Sequence, residues 1–294
     1  MKFGIYYAYW EKEWHSDYVP YIEKVKRLGF DVLEVACGGF GQESLHTMAD
    51  LGRAAKDHEI MLTGGYGPRR EHNLATESAS ALKDTFHFYR DVFNKMEAAG
   101  IRSLGGALYS YWPVDFASGF DDKAGDFARS AANMRLLADM AADHGIVLNM
   151  EALNRFEGYL INTCEEAVAY VEAVDHPNVK LMLDTFHMNI EEDSMDGAIE
   201  AAGKLLGHFH VGEANRRPPR RDGRIPWKEI VDALKKTGYD GCVVMEPFVM
   251  MGGQVGKDIY LWRDISNGAT SEELDRDAAL SLAYLRELFA RGNH

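Results

Sequence analysis

The sequence predicts an α/β fold of the TIM-barrel class, one (β/α)8 catalytic domain over residues 1–294, and three observations carry the prediction. Short apolar, β-branched or aromatic runs alternate with longer amphipathic stretches eight times from end to end. No Pro/Gly/Ser-rich linker or low-complexity segment interrupts the alternation. The first strand runs into Tyr6-Tyr-Ala-Tyr-Trp10, which is too bulky for the glycine-rich phosphate turn of a doubly wound open sheet.

Taken in order, residues 3–8 read as the first strand and 18–28 as a helix stopped by Gly29. Strand 32–36 leads to helix 45–58, and strand 61–65 to a long helix ending at Gly100. Strand 103–108 precedes helix 122–144, which stops at Gly145. The second half repeats the rhythm: strand 146–151 and helix 164–174, strand 179–184 and helix 194–204. Strand 206–210 with helix 227–237, stopped by Gly238, and strand 242–246 with helix 272–291 complete the eight units. Glycine at these stops supplies the left-handed residue that a helix C-terminus favours.

Bulk properties narrow the partners. With 46% hydrophobic and 27% charged residues, the chain has the composition of a water-soluble enzyme. Its net charge of −14 opposes a nucleic-acid or anionic-membrane partner, since no basic field offsets phosphate repulsion. Cys37, Cys164 and Cys242 are isolated and odd in number, so neither a disulfide framework nor a thiolate zinc site is indicated. The N-terminus reads as a strand, without a signal peptide's apolar stretch, and no run reaches membrane-spanning length. A reduced cytoplasm is the expected location. The Arg-rich segment 216–224 is local, and the loop after Arg216 reads as a solvated loop or a contact between subunits.

Barrel chemistry sits at the C-terminal ends of the strands. The last residues of strands five to eight are Glu151, Asp184, His210 and Glu246. A lone acidic residue there is commonly a helix N-cap. Three carboxylates converging with a histidine on one mouth would repel strongly unless a cation neutralised them. The set is hard and oxygen-rich, suited to Mn²⁺, Mg²⁺ or Co²⁺. Such a centre has room for two vicinal oxygens of a hydroxy-ketone, and binding would acidify the adjacent C–H. Glu151 and Glu246, from strands five and eight, stand as candidate acid and base partners flanking a sugar.

Glu157, His187 and Arg216 follow these strands and fall near the same mouth. An arginine and a histidine there would stabilise an oxyanion. Glu157 could instead pair with Arg155, and His187 could be a satisfied core histidine. Tyr6, Trp14, Tyr109, Tyr111 and Trp112 gather beyond strands one and four, where they either pack in the core or stack on a sugar.

Long motifs then resemble one family. Gly-Ile-Tyr-Tyr-Ala-Tyr-Trp at 4–10, Gly-Gly-Ala-Leu-Tyr-Ser-Tyr-Trp-Pro at 105–113 and Glu-Ala-Leu-Asn-Arg-Phe-Glu at 151–157 are similar to the ketose 3-epimerases. So are Met-Leu-Asp-Thr-Phe-His-Met-Asn-Ile-Glu-Glu-Asp at 182–193 and Val-Met-Glu-Pro-Phe at 244–248. The resemblance is to the D-tagatose 3-epimerase family, nearest its D-psicose (D-allulose) branch, and runs nearly the whole chain. It implies a Mn²⁺- or Co²⁺-dependent barrel enzyme, without organic cofactor, that interconverts C3 epimers of free ketohexoses. It implies Glu151, Asp184, His210 and Glu246 as ligands, with Glu151 and Glu246 moving the proton through a cis-enediolate. Glu157, His187 and Arg216 would hold O1 and O2, Tyr6 and Trp112 would line the pocket, and the enzyme would be a homodimer or homotetramer. Ala152 and Ala214 depart from the family's usual residues without touching a ligand.

Competing readings are an aldose–ketose isomerase using the same carboxylates, a related barrel that repairs abasic DNA, and a sugar-binding barrel without catalysis. DNA repair would need more histidine ligands and less negative charge, and loss of catalysis sits poorly with both glutamates being present.

Overall fold

The computed structural model describes residues 1–115 and 122–291. Eight parallel strands close into a barrel in chain order: β1 (Lys2–Tyr6), β2 (Val32–Ala36), β3 (Met61–Gly65), β4 (Ser103–Gly106), β5 (Val147–Glu151), β6 (Val179–Asp184), β7 (Leu206–Val211) and β8 (Cys242–Met245). Around it run α1 (Val19–Leu28), α2 (Leu45–Asp57), α3 (Ala79–Ala98), α4 (Lys123–Asp143), α5 (Cys164–Val174), α6 (Thr185–Glu191), α7 (Met195–Ala202), α8 (Trp227–Thr237), α9 (Gly253–Asp258) and α10 (Ser271–Ala290). The TIM-barrel class expected from the alternation is the fold observed. No described helix is long and apolar enough to cross a membrane.

The strands are buried on both faces, which is why they read as continuous apolar runs. The helices bury one stripe each; in α8 it is Trp227, Ile230, Val231, Ala233 and Leu234. Starts are capped by Ser44, Ser78, Asp122, Thr163 and Ser194, and Thr270 forms a reciprocal capping box with Glu273. Gly29 and Gly238 end α1 and α8 in the left-handed conformation, as their sequence positions imply.

Local departures from the sequence reading concentrate at the mouth. β1 ends at Tyr6, and residues 7–9 coil into a short 3₁₀ turn that buries both tyrosines against the core. β4 stops at Gly106, two residues early, because the chain there turns back on itself. Gly106 has φ 124°, and a Cβ on it would lie 2.3 Å from the Tyr66 carbonyl oxygen. Two short helices, α6 and α9, had no periodic signal in so few residues. α6 starts because the Asp184 side chain accepts a hydrogen bond from the Phe186 amide, 2.9 Å away. The helix read over 194–204 is shorter, giving way to a 3₁₀ turn at Gly203–Leu205.

β3 and β4 both end in Gly-Gly, which lets neighbouring groups approach their backbone closely, while β5 to β8 carry the acidic and histidine side chains. At Gly105 even a methyl group would lie 2.6 Å from the Met182 sulfur. Gly106→Ala is therefore expected to lower unfolding free energy by about 1–3 kcal/mol through backbone strain alone, with the Tyr66 clash added. Urea titration of the purified variant checks this, and an unchanged midpoint would refute it.

Candidate active site and metal centre

Glu151 closes β5, Asp184 closes β6, His210 is the penultimate residue of β7, and Glu246 follows β8 directly. Strand pairing sets Asp184 opposite His210 in register, and His210 opposite Val244. One ligand-competent atom from each of the four lies within 4.8 Å of all the others. The four residues singled out by position in sequence are thus brought together in space.

Their environment is rich in buried negative charge. The Nδ1 of His210 and the Oε1 of Glu151 are buried and make no hydrogen bond. Orphaned polar atoms of this kind are costly in a protein interior. Burial, reinforced by the Glu246 charge, holds the Glu151 carboxyl well above its usual range. Burial also pushes Asp184 up to about 6, with Arg216 opposing and Glu246 adding to the rise. Glu246 goes the other way: burial would raise it, but His210 and Arg216 outweigh burial and lower it. Like charges crowded this closely cannot all ionise without a cation. The donor set is three carboxylates and one imidazole, which suits a hard divalent ion. The residues present fit such a group.

Arg216 supplies the cationic side of the cluster. Its Nη1 donates to Glu246 Oε2 at 2.7 Å and to Asp184 Oδ2 at 3.2 Å, and its Nη2 to Glu157 Oε1 at 3.3 Å. The guanidinium lies 3.8 Å from the centre of the Phe186 ring, so an aromatic face covers it. Asp184 Oδ1 caps α6, as a strand-end acid commonly does, while Oδ2 faces Arg216.

His187 and Glu157 both line the cavity at the mouth. The Asn154 amide donates to His187 Nδ1 at 3.0 Å, so the ring proton resides on Nε2. That Nε2 lies 3.7 Å from Glu151 and 3.9 Å from Asp184. Burial first, and then the Arg216 charge, keep the imidazole neutral. Glu157 does not pair with Arg155, which binds Glu191 instead at 2.7 Å. It turns inward and accepts from Trp112 Nε1 at 3.3 Å and from Asn154 at 3.2 Å.

These side chains floor a cavity of about 480 Å³, walled by Tyr6, Trp14, Trp112 and Phe248. Trp14 meets Trp112 edge-on at 5.6 Å, and Tyr6 meets Phe248 at 6.1 Å. Tyr109 is core instead; its hydroxyl donates to the Glu151 carbonyl at 2.9 Å and steadies the end of β5. Tyr111 is buried too, beneath Arg70.

Two buried groups escaped the sequence reading. Glu34 and His208 lie within the barrel, below His210. The available signals were a single charge inside the apolar run 32–36 and the His-x-His spacing in β7, which puts both rings on one face. Glu213 is the other. Its carboxylate accepts from the Arg220 amide (3.1 Å), the Arg224 amide (3.1 Å) and Trp227 Nε1 (2.9 Å). The Arg-rich segment is thereby folded around an internal anion. Arg216 is buried at the mouth, and beyond it Arg220 pairs with Asp222 and Arg221 with Glu287 of this chain. Arg216 has a φ of 63°, and the loop must hold it there.

The chain matches the xylose isomerase-like TIM barrel family over residues 22–276. It is 51% identical to the D-psicose 3-epimerase of Ruminiclostridium cellulolyticum over 294 residues, 100% of both chains. It is 50% identical to that of Agrobacterium fabrum over 286 residues, 97% of this chain and 98% of the relative. The crystal structure of D-psicose 3-epimerase with D-tagatose from Clostridium cellulolyticum H10 superposes with TM-score 0.96 at 52% identity, covering 98% of this chain and 99% of that one. Fold and site thus define a sugar-isomerase barrel of the xylose isomerase-like class. Within it, the chain belongs to the D-psicose 3-epimerase family and is an enzyme of the isomerase class.

Glu213→Ala is expected to cost about 1–3 kcal/mol for each donor left without an acceptor, and to lower turnover as Arg216 loses its fixed placement. Urea unfolding alongside activity checks both, and wild-type stability would contradict the anion's role.

Proposed function

We propose that this enzyme epimerises free ketohexoses at C3, with D-fructose and D-psicose, or D-tagatose and D-sorbose, as the exchanging pairs. The reading rests most on one observation: Glu151 from β5 and Glu246 after β8 present their carboxylates to one buried quartet whose ligand atoms lie within 4.8 Å of one another. Two carboxylates at a single centre can serve as an acid and a base.

Glu151, Asp184, His210 and Glu246 would hold the cation, Mn²⁺ or Co²⁺, with Mg²⁺ as a third candidate. When bound, the cation would draw electron density from a sugar oxygen and so acidify the neighbouring C–H. The remaining work falls to the chain itself. One of the two glutamates takes the proton from C3, and the planar carbon left behind accepts a proton from the other on the opposite face. The reverse reaction exchanges their roles. Arg216 and the Nε2–H of His187 donate to the oxygens at C1 and C2, where negative charge builds. Glu157, held by Asn154, Trp112 and Arg216, accepts from a sugar hydroxyl. Tyr6 and Trp112 offer apolar faces that exclude water and leave the far end of the sugar with few polar contacts.

Purified protein with Mn²⁺ should convert D-fructose to D-psicose, and chelation of the metal should stop it. Appearance of D-glucose or D-mannose in place of D-psicose would overturn the assignment in favour of proton transfer between C1 and C2. Glu246→Gln at saturating Mn²⁺ should lose about 100- to 10,000-fold in kcat. A variant with near wild-type turnover would remove Glu246 from the proton transfer.

A further inference from the structure

Below the mouth, the carboxylate of Glu34 is wedged between two imidazoles. Its Oε1 is 2.6 Å from His210 Nε2, and its Oε2 is 2.8 Å from His208 Nε2. Thr63 Oγ1 donates to the same Oε2 at 2.7 Å. All of these side chains are buried within the barrel. Strand pairing fixes the arrangement, since Glu34 on β2 sits opposite Thr63 on β3.

Glu34, His208 and His210 could be taken for a second cation site. The distances oppose this. A cation lies about 2.0–2.2 Å from each nitrogen or oxygen ligand, so it holds two ligands further apart than the 2.6 and 2.8 Å seen here. The 2.6 Å separation is that of a charge-assisted hydrogen bond, with the His210 ring N–H donating to the carboxylate, whereas His208 Nε2 makes a close contact without a hydrogen bond. A proton on Nε2 of His210 leaves Nδ1 bare. Nδ1 is the buried nitrogen without a hydrogen bond, 3.6 Å from Glu246 Oε1, and it faces the quartet.

We propose that Glu34 is a positioning residue for the metal centre: its carboxylate locks His210 in the Nε2–H tautomer and in the ring orientation that presents Nδ1 to the cation. The inference rests on the metal-site reading above. Carboxylate–histidine–metal chains of this kind raise ligand basicity and affinity without touching substrate. Glutamine cannot replace Glu34. It has one accepting and one donating end where His210 and Thr63 each donate to a carboxylate oxygen, so one of these two must lose its acceptor.

The test is Mn²⁺ binding by competition with a chelator, for wild type, Glu34→Gln and Glu34→Ala. Both variants should bind Mn²⁺ about 10- to 100-fold more weakly. Glu34→Gln should regain most of its kcat as Mn²⁺ is raised, with KM for the ketose little changed, a recovery that general loosening of the barrel would not give. A folded Glu34→Gln protein that binds Mn²⁺ like wild type overturns the proposal. Wild type that fails to bind Mn²⁺ overturns both this inference and the metal-site reading beneath it. Should the variants not fold, long-range ¹H–¹⁵N spectra of the wild-type protein with Mg²⁺ should show the His210 proton on Nε2. A proton on Nδ1 with Nε2 bare would refute the assignment.

Discussion

Closely packed, buried negative charge at one end of the barrel is the constraint on which the rest of the site depends. Three carboxylates within 4.8 Å, nearly cut off from water, would not persist without compensation. The chain provides some of it through Arg216, which reaches Asp184, Glu246 and Glu157 from a single loop. Unpartnered Glu151 Oε1 and His210 Nδ1 mark where compensation by protein groups stops. A divalent cation is the group whose charge and size suit what is left. Breaking any one of these contacts would leave an uncompensated buried charge, which costs more than the contact itself contributes.

Much of the surrounding architecture holds the compensating groups still. Glu213 folds the 216–224 segment from within, so that an arginine with positive φ can sit in the mouth. Asn154 sets the tautomer of His187, and Glu34 does the same for His210 from below. Three acids and an amide outside the quartet thus share one kind of task, with Glu157 joining Trp112 to Arg216. Such placement matters for chemistry because a preorganised donor needs no rearrangement as charge develops. Gly65, Gly105 and Gly106, at the ends of β3 and β4, line the cavity on the opposite side.

The barrel was legible because its strands are buried on both faces and its helices on one, so two periodicities alternate along the chain. The quartet was legible because a barrel puts its chemistry at strand ends, which are countable positions. Where the reading left alternatives open or missed an element, the cause was tertiary. Glu157 lies two residues from Arg155, and nothing local says that Arg155 prefers Glu191. Helix α6 depends on a cap from a residue whose other oxygen faces the site.

The sequence by itself determined the number of strands, their order, and which of them carry acidic or histidine side chains at their ends, because periodicity and spacing are properties of neighbouring residues. It also held the clues to Glu34 and His208, a charge in an apolar run and a His-x-His spacing. Only the closed barrel decided that these two meet beneath His210, that Arg216 reaches Asp184, Glu246 and Glu157 at once, and that Arg155 turns to Glu191. Those contacts join residues 30 to 176 positions apart, so they exist only once all eight strands have closed in register.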